Sequence, residues 1–343
     1  MSKSETNILK GVAILLMVFL HLFLPRNSGL YDCLITIGGM PFPAILTRLA
    51  NPVPFFLFLS GYGLFASSMI GGGKNNWTRV LNIYVHLWLI YLIFIPIGTY
   101  IRPDFYPGSL PIFLENALSW HCTYIGEQWF LFPYILLMLS SKVIFTFYNR
   151  LRAIIVFMLS FSIYLITSIV LKLLGEDTLA SYGMLFYNIF LTLYMLFPFT
   201  LGVLAYRGRW VEKIKYRVSV WSVKIPLCGL WMLMIVCIIK CAIPSSAFDP
   251  IYALIFILLF LTIPLKKTGN KIVSYLGRHS MNMWLIHTWI CVRLFQPEVY
   301  SLRWPILIYV LVILLSLGIS VIIEWMFVPF NRFFTSSHFT RSI

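Results

Sequence analysis

Residues 8–24 read Ile8-Leu9-Lys10-Gly11-Val12-Ala13-Ile14-Leu15-Leu16-Met17-Val18-Phe19-Leu20-His21-Leu22-Phe23-Leu24. Lys10 and His21 are the two ionisable residues in an otherwise unbroken apolar run. A helix needs about 20 mostly apolar residues to cross a bilayer's hydrocarbon core, and this stretch with its flanks has the length. With Lys3 and Lys10 near its start it also has the outline of a secretion signal. No small-residue cleavage pattern follows, because Leu24-Pro25-Arg26-Asn27 is a poor cleavage site. The stretch is therefore read as a first membrane span.

Working outward, the pattern recurs at 52–70, 80–101, 128–147, 153–174, 183–206, 220–241, 249–265, 280–295 and 304–327, giving ten spans. Their prolines and glycines do not argue against them, since membrane helices tolerate both. Of the 343 residues 60% are hydrophobic and 11% are charged, and mean hydropathy is +0.88. A soluble domain carries about 25% charged residues, so this chain lacks the charge to cover a water-facing surface. Soluble enzyme, disordered chain, disulfide scaffold and β-barrel are all excluded. The expected fold is all-α, a polytopic helical membrane protein of about ten spans forming a single domain over 1–343 with no appended soluble domain.

The net charge is +15, from 26 Lys and Arg against 11 Asp and Glu. Sorted by side, 19 of the 26 cations fall on the side of the N-terminus, the even-numbered connections and the C-terminus. The other 7 are Arg26, Arg48, Arg102, Lys172, Lys240, Arg293 and Arg303, and most of the acidic residues lie with them. Cytoplasmic connections are the Lys- and Arg-rich ones, so both termini are expected inside. The basic excess then encodes orientation, and no nucleic-acid partner is expected. Trp77, Trp120, Trp210, Trp221, Trp304 and Trp325 fall near span ends, as interfacial belts require. The longest outer connection, 102–127, contains a short surface helix at 111–119. The longest inner one, 207–219, reads as a basic hairpin. The six cysteines have no paired-ligand spacing, so no metal site is expected. Cys33 and Cys122 fall on the same outer side, where a disulfide is one reading.

Ionisable residues inside spans are costly and point to function. Lys10 and His21 are 11 positions apart, about three helical turns, so they share one face roughly 16 Å apart. That stripe can line a polar tunnel from the cytoplasmic mouth to the outer half of the membrane. The plainer alternatives are that Lys10 snorkels and that His21 makes a buried hydrogen bond. Glu127 opens the fourth span at a depth where it can meet His21, or it faces water at the interface. His287 lies mid-span in the ninth helix with Asn282 five positions earlier. Glu324 lies in the last span and needs a partner, for which Lys10 or Arg79 is at hand, or it forms a structural ion pair. His86 and His279 read as structural, and His338 carries no assigned role.

These residues carry a resemblance. The chain resembles the acyltransferase-3 family of bacterial integral-membrane acyltransferases, whose first span holds a basic residue and, after ten intervening residues, a histidine, here Lys10 and His21. Four further stretches are similar to family patterns. They are Pro54-Phe55-Phe56-Leu57-Phe58-Leu59-Ser60-Gly61-Tyr62, Glu127-Gln128-Trp129-Phe130-Leu131, the stretch from Leu276 to His287, and Glu324-Trp325-Met326-Phe327-Val328-Pro329. The matches run in order from residue 10 to residue 329. Two positions depart from the pattern. Lys10 stands where the family usually has Arg, keeping the charge but losing the planar fork. The family's Arg pair before the third span is reduced to Arg79, with Asn76 at the other position.

The resemblance implies a multi-pass protein of the bacterial cytoplasmic (inner) membrane. It implies O-acyl transfer, with acetyl-CoA as a donor substrate rather than a resident cofactor. The acceptor expected is a hydroxyl of a cell-surface or exported polysaccharide, carbohydrate or lipid-linked glycan. Lys10 and Arg79 are expected to hold the donor's phosphates. His21 is expected to be the general base and Glu127 its orienting carboxylate, with a covalent acyl-His21 relay equally open. Asn282, His287 and Glu324 are expected to touch substrate, and lipids surround the whole. The rival is a transporter or flippase that moves a glycan or lipid without chemistry. It predicts internal symmetry, which the chain does not show.

Overall fold

A computed structural model describes residues 1–71, 75–264 and 267–336. Lys74, Lys266, His338 and Arg341 lie outside the described residues, as do the side chains of Lys267 and Arg332. The protein is 81% helical with almost no sheet. The helices are, in chain order, α1 (Lys3–Phe23), α2 (Phe42–Leu46), α3 (Val53–Ile70), α4 (Asn76–Ile101) and α5 (Leu110–Ala117). Then come α6 (Leu131–Asn149), α7 (Ala153–Leu174), α8 (Glu176–Ser181), α9 (Met184–Arg207) and α10 (Trp210–Ser222). The last are α11 (Cys228–Ala242), α12 (Asp249–Phe260), α13 (Lys267–Thr288), α14 (Gln296–Tyr300) and α15 (Pro305–Ser336). The one sheet among the described residues is a hairpin of Thr36–Ile37 with Met40–Pro41. Its turn residues Gly38 and Gly39 have φ of 58° and 81°, the left-handed pair that a two-residue hairpin turn requires.

Among the described residues seven segments are long and apolar enough to cross a membrane: Lys3–Phe23, Phe42–Ile70, Asn76–Ile101, Gly126–Asn149, Ala153–Leu174, Met184–Arg207 and Pro305–Phe330. The other three expected spans differ. The stretches at 220–241 and 249–265 become shorter apolar helices, Cys228–Ala242 and Ser246–Phe260. The stretch at 280–295 is the second half of a helix that starts earlier, at Lys267, and continues as a π-helical turn, Trp289–Leu294. Asn282, His287 and Thr288 in this helix are at most 1% exposed. The half enclosed by protein can carry such polar residues, and the half before 280 is polar and largely exposed, so hydropathy under-reads the helix.

Glycines decide which helices meet. A Cβ at Gly11 would sit 2.0 Å from the Val273 carbonyl oxygen, and one at Gly277 would sit 1.8 Å from that of Asn7. The backbones of α1 and α13 therefore touch, and only a missing side chain on each allows it. Gly61 and Gly202 do the same for α3 and α9, at 2.0 Å from the Phe199 carbonyl oxygen and 2.1 Å from that of Phe58. Small residues at such crossings replace the hydrophobic drive that lipid cannot supply.

The connections sort to two ends. At one, Lys215 of α10 pairs with Glu5 of α1, and Arg207 donates to the carbonyls of Tyr148 and Leu151 at 2.9 and 3.1 Å. At the other, Lys240 pairs with Asp249 at 2.6 Å while Asn51 donates to Asp249 at 2.5 Å. The 207–219 stretch is thus a helix rather than a hairpin. Its buried residues Val211 and Val218 stand seven apart, two turns on one face, and its charges face outward. The short helix expected at 111–119 is α5. All six cysteines are free, and burial pushes the Cys122 thiol up to about 12.

Candidate functional site

Close contact between α1 and α13 sets the site. It brings His287 beside His21, with ring centroids 5.1 Å apart. His287 Nδ1 faces the carbonyls of Met283 and Trp284 at 3.1 and 2.7 Å. A ring nitrogen facing two carbonyls must carry the proton. Nε2 is then the free lone pair, and it is buried without a hydrogen-bond partner.

The third member comes from a 3₁₀ turn, Gly126–Phe130, at the head of α6. Gln128 in this turn is fully buried. It accepts from the Tyr91 hydroxyl at 2.6 Å and donates to the Asn116 carbonyl and the Ser119 hydroxyl, each at 2.7 Å. Asn116 in turn accepts from the backbone of Thr123 and Tyr124 at 2.8 and 2.9 Å. Gln128 is thereby pinned to the loop that holds Asn116 and Ser119. Its neighbour Glu127 points instead into the bundle, 3.5 Å from His21 Nδ1. That is pairing distance, longer than a formed hydrogen bond, as catalytic contacts often are before substrate binds. The side chains are 15% and 14% exposed, while His21 Nδ1 and Glu127 Oε2 themselves are buried. Arg26 acts electrostatically on His21, and Arg293 on Glu127.

A second cluster lies around Glu324. His86 Nε2 is 3.6 Å from its carboxylate, and Asn282 donates to the same oxygen at 3.2 Å. His86 Nδ1 rests on the Asn82 carbonyl at 2.6 Å, and His279 meets Ser320 at 3.0 Å. Glu324 is therefore partnered by His86 and Asn282, where the sequence suggested Lys10 or Arg79. The reason is helix phase: Asn282 and Glu324 face each other across α13 and α15, while Lys10 turns elsewhere. Asn282 and His287, grouped in the sequence, belong to different clusters for the same reason.

Lys10 lines a narrow cavity of about 150 Å³ with Ser60, Phe130, Tyr134, Ser280 and Trp284. Tyr134 and Ser60 are hydrogen-bonded at 3.0 Å. Arg79 lines a wider polar cavity of about 510 Å³ with Asn76, Ser68, Ser141 and Lys142. Asn76 does not stand in for a missing cation. It donates to the Met138 carbonyl at 2.8 Å and to Ser141 at 3.0 Å, holding α4 to α6. Lys10 and Arg79 are close enough to repel each other. Sequence reasoning passed over Gln128, Arg293 and Lys142. Only Gln128 carried a signal, as the residue after Glu127.

The acyltransferase-3 family profile, described as an acyltransferase domain, matches residues 4–325. The chain belongs to the acyltransferase-3 family. The match takes in α1, both polar clusters and most of α15, so the whole site lies within it. No curated protein and no solved structure matches the chain. A family member with seven membrane-length helices among its described residues is a multi-pass membrane acyltransferase.

Proposed function

We propose that the protein is an O-acyltransferase that moves an acetyl group from cytoplasmic acetyl-CoA to a hydroxyl of an exported or cell-surface polysaccharide. On this reading it is a single domain of the bacterial cytoplasmic membrane with both termini inside. The observation that carries the proposal is the convergence of His21, Glu127 and His287 from three distant segments. His21 takes the proton of the acceptor hydroxyl, whose oxygen attacks the thioester carbonyl. The carbon–sulfur bond then breaks, and the leaving CoA sulfur receives the proton from the imidazolium. Glu127 holds that imidazolium, the division of labour of a hydrolytic triad. The lone pair on His287 Nε2 can accept a hydrogen bond from either substrate. A covalent acyl-His21 relay uses the same groups.

The polar cavity at Arg79 suits the phosphates of CoA, because Arg79 and Lys142 supply cations there. Lys10 in the narrower cavity then lies along the path of the pantetheine arm. Glu324 and Asn282 border that path and support substrate binding in this scheme.

Surface glycans compared by NMR before and after mild alkali test the proposal. An alkali-labile acetyl group present with the wild-type gene and lost in His21→Ala cells with normal protein content is expected. Acetylation that persists in those cells overturns it. Glycans that never carry acetyl, whatever the gene, favour a transporter.

A further inference from the structure

A cleft of about 270 Å³ opens between residues 119–129, α8 and the start of α9. Gly126, next in sequence to Glu127, forms part of its wall. Trp120, Trp129 and Tyr187 give it aromatic surfaces, and Glu176, Asp177 and Asn188 give it polar edges. Its lining contains no Lys or Arg.

The cleft is built. Ser119, at its base, adopts φ of 57°, a left-handed conformation that non-glycine residues avoid unless the surroundings impose it. Here the Ser119 side chain is buried and accepts from Gln128. The same glutamine that aims Glu127 at His21 thus fixes the turn presenting Trp120. Trp120 is held from two more directions. Its carbonyl accepts from Asn188 at 3.1 Å, and its ring packs edge-on against Phe132 at 5.2 Å. His121 on the rim faces Glu115 at 3.2 Å.

We propose that this cleft is the acceptor subsite and that it takes one uncharged sugar ring. The claim rests on the acyl-transfer reading for its purpose. Indole and phenol faces suit the apolar C–H faces of a pyranose, as amphipathic rings do wherever one side of a ligand is dry and the other wet. Carboxylates are acceptor-only groups with room for several hydroxyl donors. Two of them, with no Lys or Arg in the lining, repel a uronate or a phosphate-bearing sugar. The volume lies just under the ~300–1,000 Å³ of drug-sized ligand sites, so one ring fits rather than a chain segment. A ring seated there lies beside the turn that carries Glu127.

Saturation-transfer NMR on the full-length protein in lipid nanodiscs tests this without any acyl donor. The probes are the methyl glycosides of glucose, galactose and N-acetylglucosamine, against methyl glucuronide. Neutral glycosides are expected to give signals about fivefold stronger than the glucuronide, and Tyr187→Ala or Trp120→Ala to cut them by about fivefold. The double variant Glu176→Gln with Asp177→Asn, which leaves both aromatic walls intact, is expected to raise the glucuronide signal. No neutral binding, equal glucuronide binding to wild type, or neutral signals that survive both aromatic substitutions overturns the proposal. If His21→Ala protein still transferred acetyl, the catalytic reading would fail while neutral glycoside binding in the cleft stood.

Discussion

Two polar clusters border the α1–α13 contact, and they are finished differently. Around Glu324 the groups are tied: His86 to the Asn82 carbonyl, His279 to Ser320, and Asn282 Nδ2 to Glu324. Around His21 they are open: His21 Nδ1, Glu127 Oε2 and His287 Nε2 are buried with no hydrogen-bond partner. Buried polar atoms are normally paired, and each exception needs a reason. In the Glu324 cluster the side-chain oxygen Oδ1 of Asn282 is left over. A tied network holds helices in register. An open one keeps lone pairs and a carboxylate for a substrate. On the proposed function, the difference fits chemistry at the His21 cluster and support at the Glu324 cluster.

The strongest way to break that assignment is to remove the open cluster. His21→Ala is expected to lower kcat by about 10³ and Glu127→Gln by about 10², the scale of losing a positioned acid–base group. Purified protein assayed with acetyl-CoA, with unfolding temperature as control, reads both. Next comes the contact that joins the clusters. Gly277→Ala places a Cβ 1.8 Å from the Asn7 carbonyl oxygen, so α1 and α13 must part. A loss of about 1–3 kcal/mol is expected, as for overpacking in a core, with a lower unfolding temperature and reduced turnover together. Unchanged thermal unfolding would refute the touching backbones.

At the donor cavity, Arg79→Ala is expected to raise KM for acetyl-CoA about tenfold with kcat nearly constant, the mark of lost uniform binding. Glu324→Gln is expected to cost less, about three- to tenfold in kcat/KM, because it loosens support rather than chemistry. A loss as large as that of His21→Ala would merge the two clusters into one site. The smallest effect sharpens which end faces out. Cys33 and Cys122 both belong to the expected outer side. The thiolate is the reactive form, and the thiol of Cys122 is raised to about 12 by burial. An impermeant maleimide added outside whole cells at pH 7.5 should label Cys33 and leave Cys122 slow. Labelling of Cys33 only after lysis would invert the orientation.

Much of this was legible beforehand, for reasons that differ by region. The expected span at 153–174 coincides with α7, Ala153–Leu174, because a helix facing lipid must be apolar throughout. Helix α13 begins 13 residues before the span expected at 280, because its first half is polar and largely exposed, so hydropathy places that half outside the span. His21 and Glu127 were paired by expected depth, since both stand at a similar level, one in the first span and one at the head of the fourth. Asn282 and Glu324 were not, because their meeting depends on how α13 and α15 rotate, and rotation leaves no trace in hydropathy.

The sequence by itself determined a helical membrane protein, the place of its longest apolar helices, and the residues worth suspecting. Those follow from one-dimensional properties: apolar run length, charge distribution and spacing along a helix. Only the tertiary structure decided which suspects stand together. Gly11 and Gly277 let two backbones touch, Gln128 turned Glu127 inward, and Ser119 bent the chain to present Trp120. Each of these is a contact between distant residues, and packing in three dimensions fixes it.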